Sequence, residues 1–339
     1  MAGGRDIVVI GGSAGSIEAV TEVVRGLPPE FPGSVFVVVH FPSSVRSTLP
    51  RILSRAGPLP ARHARDGEPI EPGYIYVAPP DYHLLLSDGH TRLTKGPKEN
   101  GHRPAIDPLF RTAAHSYGPR AVGVVLSGNL NDGTAGLITI KHREGIAIVQ
   151  SLETALYQSM PRSAIENVAV DHVLSPSEIP LLLGQLALEP VPHLKVVPMS
   201  VEPPAEQPED EFALVDRHKQ PGKPSTMSCP ECHGILWETK EEELLRFRCR
   251  VGHAYTDEAL LVHQSEQLEA ALWTALRSLE EHSALARRLA ARANARGHSH
   301  SASNFTEQAM DAEHHASVIR TVLDRGVRTG ESAEALVVG

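Results

Sequence analysis

Ser13 sits in Gly11-Gly12-Ser13-Ala14-Gly15, a G-x-S-x-G pentapeptide between the apolar run Ile7–Ile10 and an amphipathic stretch. A sharp strand-to-helix turn of this kind lifts a serine hydroxyl clear of the backbone, and the helix start offers unpaired N–H groups to a developing oxyanion. The same five residues also fit a structural turn with a capping serine, or a phosphate-binding turn. The latter lacks the G-x-G-x-x-G spacing of a dinucleotide fingerprint. A serine nucleophile needs a base, and the base an orienting carboxylate. His40 directly follows Val35–Val39, and Asp132 lies in the loop Ser127–Gly133 after Ala121–Leu126. Functional groups of open parallel sheets gather at the carboxyl ends of the strands. Ser13, His40 and Asp132 would then meet from three strand ends. His63, His83, His102 and His115 are rival bases, and Asp81 and Asp107 rival carboxylates; joint placement favours the first set.

A second cluster reads C-x2-C-x16-C-x3-H through Cys229, Cys232, Cys249 and His253. Three thiolates and an imidazole at this spacing suit a closed tetrahedral structural zinc site. A redox C-x-x-C pair is the alternative, but no thioredoxin-like pattern surrounds it. All three cysteines of the chain fall here, which removes a disulfide framework and fits a reducing cytoplasm. Arg246, Arg248 and Arg250 are basic, yet Glu238 and Glu241 to Glu243 flank them, and the chain's net charge is −9. That balance predicts no nucleic-acid partner, and no apolar run reaches membrane-spanning length.

These residues need elements to hold them. Through residues 1–190, short apolar runs alternate with helical stretches, predicting an α/β fold: a doubly wound, mostly parallel sheet with helices on both faces. Strands are expected at Ile7–Ile10, Val35–Val39, Tyr74–Val77, His83–Leu86, Ala121–Leu126 and Ile146–Val149, the third and fourth as an antiparallel pair. Helices are expected at Ile17–Leu27, Pro108–Tyr117 and Thr134–His142. Residues 191–228 are proline-rich with the acidic patch Glu209-Asp210-Glu211, and read as a linker. Residues 229–255 form a small zinc-ribbon-like module, and 256–328 a helical hairpin. In its first helix Leu268, Leu272, Ala275, Leu279, His282, Ala286 and Leu289 trace a heptad seam. Asn304, with Glu307 at the capping-box position, is the expected start of the second helix, whose seam is Phe305, Ala309, Ala312, Ala316, Ile319 and Leu323. The hairpin suits docking or self-association. The linker predicts that the zinc module and catalytic domain fold independently.

The first 190 residues resemble the catalytic domain of chemotaxis protein-glutamate methylesterases, the CheB family. The similarity runs from Ile7 to about Leu183. It is carried by Val9-Ile-Gly-Gly-Ser-Ala-Gly15, Val39-His-Phe-Pro42, Asp66-Gly-Glu68, Tyr76-Val-Ala-Pro79, His102-Arg-Pro-Ala-Ile-Asp-Pro-Leu-Phe110, Val122-Gly-Val-Val-Leu-Ser-Gly128, Asn131-Asp-Gly133 and Met160-Pro-Arg-Ser-Ala-Ile165. The resemblance implies a serine, histidine and aspartate set at Ser13, His40 and Asp132. It implies hydrolysis of glutamate methyl esters on chemoreceptor-type proteins, with glutamine deamidation in some members, and no catalytic cofactor. Methylated receptors and a chemotaxis-pathway partner are the expected partners. Ala14, Asn129, His102 and Arg103 are the implied substrate-binding positions. Two departures stand out. Ala14 replaces the family's usual threonine, and Gly128-Asn129-Leu130 replaces Gly-Met-Gly, both beside the expected oxyanion site. No receiver domain is expected in cis. The competing reading is a regulatory binding protein on the same fold with weak catalysis; a ribbon that binds nucleic acid is a third.

Overall fold

The computed structural model describes residues 4–40, 47–87, 89–191, 222–241 and 244–325. The chain divides after Ala259 into two compact units.

The first unit is built on seven parallel strands: β1 (Ile7–Gly12), β2 (Ser34–Val39), β3 (Ala61–His63), β4 (Ile75–Val77), β7 (Ala121–Val125), β8 (Ile146–Gln150) and β9 (His172–Leu174). Between β4 and β7 come β5 (His83–Ser87) and β6 (His90–Thr94), which form a separate two-stranded ribbon. The order across the large sheet is β3-β4-β2-β1-β7-β8-β9. Every residue of β1, β2 and β7 is buried, as continuous apolar runs require when both faces of a parallel sheet are covered. Side chains alternate between two cores. Val8, Ile10, Val35 and Val37 pack with α1 (Ser16–Gly26), α2 (Leu49–Ala56) and α6 (Ile179–Leu188). Val9, Phe36 and Val38 pack with α3 (Ile106–Tyr117), α4 (Thr134–His142) and α5 (Ser159–Asn167). The doubly wound sheet expected from the sequence is therefore present.

One expected pairing is replaced. Ile75–Val77 joins the parallel sheet between β2 and β3, while His83–Ser87 turns back on His90–Thr94. Apolar runs mark strands but carry no record of their partners.

Residues 192–221, most of the expected linker, lie outside the described residues. The cysteine/histidine segment forms a four-stranded antiparallel sheet in the order β10 (Lys223–Ser228), β11 (Ile235–Glu241), β12 (Leu244–Cys249), β13 (Ala254–Thr256). β10 uses residues whose composition reads as linker. Leu244 enters the same core as Phe110 and Leu137, so this small sheet is seated on the parallel-sheet fold rather than standing free.

The second unit is helical. α7 (Asp257–Ala295) continues from the first unit, and α8 (Ser299–Asp324) returns antiparallel along it. Ser283 and Arg287 both bond Glu313 across the pair. On α8 the expected seam holds: Ala309, Ala312 and Ala316 are buried. On α7 it is displaced by one residue at alternate positions. Leu276 and Ser283 are buried, while Leu268 and Leu289 are exposed. The displaced phase turns His282 outward and buries the larger Leu276 in place of Ala275. α8 begins five residues before Asn304, because burying Ala302 extends the seam and outweighs a cap.

Candidate active site

Gly12 and Val39 are registered partners at the ends of β1 and β2, and His40 N–H donates to Gly12 O at 3.2 Å. The next residue after each is Ser13 and His40, so backbone pairing alone brings serine and imidazole to adjacent strand ends. β7 lies on the other side of β1, and its following loop delivers Asp132. The chain reverses its winding direction between the neighbouring strands β1 and β7, which makes this the switch point where ligands bind in doubly wound sheets.

His40 Nε2 and Asp132 Oδ2 are 2.8 Å apart, and both side chains are buried. The Asp132 carboxylate also accepts from Ile106 N–H at 2.7 Å, Gly133 N–H at 3.1 Å and Asn100 Nδ2 at 3.0 Å. Burial pushes the Asp132 carboxyl up. The hydrogen bond and charge of His40, with the Ile106 N–H, outweigh it and hold the group well below the usual carboxylate range. An ionised Asp132 accepts the Nε2 proton and fixes the tautomer in which Nδ1 carries a lone pair. His40 Nδ1 is buried and has no hydrogen-bond partner among the described residues. That nitrogen is the one the Asp132 contact leaves without a bonded proton.

The Ser13 turn is tightly fitted. Gly15 caps α1 with φ 68°, and Ser127 Oγ ties Ala14 O to Tyr157 N–H. Gly128 backs directly onto Ser13; a Cβ there would run into Met160 Sδ and come within 2.9 Å of Ser13 Cβ. The N–H groups of Ala14 and Asn129 donate to no other described residue, so both remain for an oxyanion. Leu130, at the second glycine position of the family loop, adopts φ 61°. The loop thus keeps the left-handed backbone that glycine favours, despite the side chain.

Of the other expected substrate positions, His102 stacks on the His40 ring with centroids 3.7 Å apart and planes 15° apart. Arg103 instead binds Asp81 Oδ1 at 2.6 Å and Gly96 O at 2.9 Å, holding a loop. Asp81 is thereby occupied as a rival carboxylate. Asp107 caps the start of α4, accepting from Gly133 and Gly136 N–H at 3.0 and 2.7 Å. His63 and His83 face backbone carbonyls.

Sequence reasoning missed a layer of charge behind Asp132. Asn100 Nδ2 bridges Asp132 and Asp107, and Arg246 from β12 places Nη1 3.0 Å from Asp107 and Nη2 3.1 Å from Glu99. Arg111 binds Glu99 at 2.7 Å. Burial, then the nearby Asp132 charge, push Asp107 up to about 6 against Arg246 and Arg111. Burial also raises Glu99, but the guanidiniums of Arg111, Arg248 and Arg246 outweigh it and bring the group down to about 2. Three buried carboxylates so close are stable only with these cations among them.

Cys229, Cys232, Cys249 and His253 bring their ligand atoms within 4.8 Å of one another. Cys229 Sγ and Cys249 Sγ lie 3.6 and 3.5 Å from His253 Nδ1, and Cys232 Sγ lies 3.6 Å from Cys249 Sγ. These edges match a tetrahedron with metal–sulfur distances of about 2.3 Å. Two tight turns preset it: Cys229 N–H donates to Gly234 O, and Cys249 N–H to His253 O. The cluster can hold a metal ion.

A nucleophile turn, an oriented imidazole and a buried carboxylate at three strand ends are what an α/β serine hydrolase uses. The CheB methylesterase family model matches residues 8–183, and the chain belongs to that family. A protein-glutamate methylesterase/protein-glutamine glutaminase 2 of Anaeromyxobacter dehalogenans is 40% identical over 53% of this chain and 53% of its own length. A putative protein of the same designation in Leptospira interrogans is 40% identical over 53% of this chain and 94% of its own. The crystal structure of the Thermotoga maritima CheB methylesterase catalytic domain aligns with TM-score 0.52 and 36% identity, over 53% of this chain and 98% of that one. The chain spans about half the length of the Anaeromyxobacter relative. Among the described residues no helix is long and apolar enough to cross a membrane.

Proposed function

We propose that this chain is a protein-glutamate methylesterase in which Ser13 is the nucleophile, His40 the base and Asp132 its orienting carboxylate. The observation that carries the reading is the 2.8 Å His40–Asp132 bond that leaves Nδ1 unpartnered, one residue beyond the Gly12–Val39 pair that sets Ser13 beside it. Ser13 Oγ attacks the γ-carbonyl carbon of a glutamate methyl ester as its proton passes to His40 Nδ1. The tetrahedral oxyanion is met by the N–H groups of Ala14 and Asn129. Collapse breaks the carbon–methoxy bond, and His40 returns the proton to give methanol. Water, deprotonated by His40, then releases glutamate from the acyl-enzyme. His102, stacked on His40, bounds the substrate groove. An alkoxide leaves more readily than an amine, so ester hydrolysis exceeds glutamine deamidation. The left-handed Leu130 supports an intact oxyanion loop, and so favours catalysis over a purely regulatory role.

The substrates are methylated chemoreceptor-type proteins in the cytoplasm. The Cys229–Cys232–Cys249–His253 centre holds a structural zinc in a ribbon-like module, and catalysis needs no metal. The exposed Leu268, Leu285 and Leu289 of α7 support the hairpin as a docking or self-association element for pathway partners. Methanol release from peptides bearing glutamate γ-methyl esters, with wild type and Ser13→Ala, tests the reading. Equal release from both removes Ser13 from the mechanism.

A further inference from the structure

The four-stranded module reaches the proposed catalytic carboxylate through β12 and β13, which carry or adjoin two of its four candidate metal ligands, Cys249 and His253. Side chains of β12 alternate between faces. One face bears Phe247 and the ligand Cys249. The other bears Leu244, Arg246 and Arg248, and all three engage the catalytic fold: Leu244 in its core, Arg246 on Glu99 and Asp107, and Arg248 3.7 Å from Glu99. β13 begins one residue after the ligand His253. Asn100 N–H donates to Ala254 O at 2.8 Å, Thr256 N–H to Asn100 Oδ1 at 3.0 Å, and Thr256 Oγ1 to Asn131 Oδ1 at 2.5 Å. Asn131 immediately precedes Asp132, and Asn100 bonds Asp132 directly.

We infer that Arg246 and Thr256 are positioning residues for Asp132, so that the metal-binding module completes the active site instead of being appended to it. The inference rests on the proposed roles of His40 and Asp132. Its physical basis is the layer Glu99–Asn100–Asp107 on which Asp132 rests. Arg246 places its one positive charge between the two carboxylates of that layer from a buried position. Without it Asp107 is a buried anion beside Asp132 that has lost the guanidinium 3.0 Å from its Oδ2 oxygen, and relief comes by taking up a proton or by moving apart. Either change breaks the arrangement of Asn100 and Asp132 that holds the His40 ring. Thr256 fixes the same loop from the other side, through a neutral hydrogen bond.

The test uses the full chain as wild type, Arg246→Met, Arg246→Lys and Thr256→Val. Methanol release from a glutamate γ-methyl ester peptide gives kcat and KM. The His40 Nε2 proton, observed by NMR in 15N-histidine-labelled protein, reports the Asp132 contact without any turnover. Arg246→Met is expected to lower kcat by about tenfold or more with KM within about twofold, and to speed solvent exchange of the Nε2 proton. Arg246→Lys should recover part of both losses, since one cation returns but reaches fewer oxygens. Folded Arg246→Met with wild-type kcat and exchange overturns the inference. Should Arg246→Met fail to fold, Thr256→Val and Arg246→Lys decide: reduced kcat with faster exchange supports it, and wild-type values in both overturn it. A wild type that protects the Nε2 proton yet releases no methanol would refute the proposed esterase while leaving the positioning role to the exchange measurement.

Discussion

His40 Nε2 stands 2.8 Å from Asp132 Oδ2, and this one contact assigns the two imidazole nitrogens to different tasks. Nε2 is committed to the carboxylate, and under the proposed mechanism Nδ1 takes the proton of Ser13. Ser13→Ala and His40→Ala should therefore each lower ester hydrolysis by roughly a thousandfold or more, and the double variant should be little worse than either. Both variants should retain wild-type circular dichroism. A double variant whose loss equals the product of the single losses would show that the residues act separately.

Asp132→Asn should be more damaging than a change of charge suggests. One carboxylate oxygen accepts from His40 and Ile106 N–H, and the other from Asn100 and Gly133 N–H. An amide NH2 meets donors in either orientation. The expected cost is about 1–3 kcal/mol of stability, from unsatisfied buried groups. Activity should fall by about 10⁴-fold through loss of the imidazole tautomer. Denaturant titration and methanol release check the two parts; wild-type stability would contradict the donor clash.

The large sheet and the three strand-end residues are legible in the sequence because each rests on a local signal. Continuous apolar runs mark Ile7–Ile10, Val35–Val39 and Ala121–Leu126, and His40 follows its run directly while Ser13 and Asp132 lie in the short loops after theirs. Partnership between distant segments leaves no such mark. Ile75–Val77 and His83–Leu86 read as neighbours in a hairpin, yet they end in different sheets. The spacing of Cys229, Cys232, Cys249 and His253 marks the metal cluster clearly. Nothing in Arg246 marks it as buried, because an arginine between apolar residues on a strand is read as solvent-facing. The alternation of Leu244, Arg246 and Arg248 opposite Cys249 is the one local hint that this face is covered.

Leu130 offers a stabilising substitution. At φ 61° a branched, bulky residue carries a backbone cost that glycine does not. Leu130→Gly should leave kcat unchanged and raise stability by about 1 kcal/mol, net of the glycine's greater freedom when unfolded. A variant less stable than wild type by thermal unfolding would mean that the leucine side chain contributes more packing than its backbone costs.

The charge layer predicts a pH-dependent contribution from Glu99. Its carboxyl is held down to about 2. A carboxyl with a lowered folded value adds stability that is present above its unfolded value and lost as pH falls through the folded one. Glu99→Gln should therefore destabilise by on the order of a few kcal/mol at neutral pH, with the difference shrinking as pH falls from about 4.5 toward 2. Asp107 acts in the opposite sense. Raised to about 6, it contributes stability below the usual aspartate value that is lost as pH rises through about 6. Unfolding free energies of wild type and Glu99→Gln, measured near pH 7 and pH 3, isolate the Glu99 part. A difference that does not change between them would place the Glu99 carboxyl at its ordinary value.

Metal removal should reach the active site, contrary to the independence that a proline-rich linker implies. With zinc held as proposed, a small sheet with few buried apolar residues depends on that ion to fold. Its loss would withdraw Leu244 from the core, Arg246 from Glu99 and Asp107, and Thr256 from Asn131 together. Chelation of the full chain, or Cys229→Ser with Cys232→Ser, should therefore reduce turnover of a small glutamate methyl ester by at least about tenfold, and added zinc should restore the chelated wild type. The large parallel sheet should stay folded, because its two cores are closed by α1 to α6 without the module, apart from Leu244. The loss should appear in kcat, since the module bonds Asn100 and Asn131 beside Asp132. Metal content, free-thiol titration and kcat measured on one sample decide it. Metal-free protein with all three thiols reactive and wild-type kcat would mean that the catalytic fold holds Asp132 unaided, and that β12 and β13 serve another purpose.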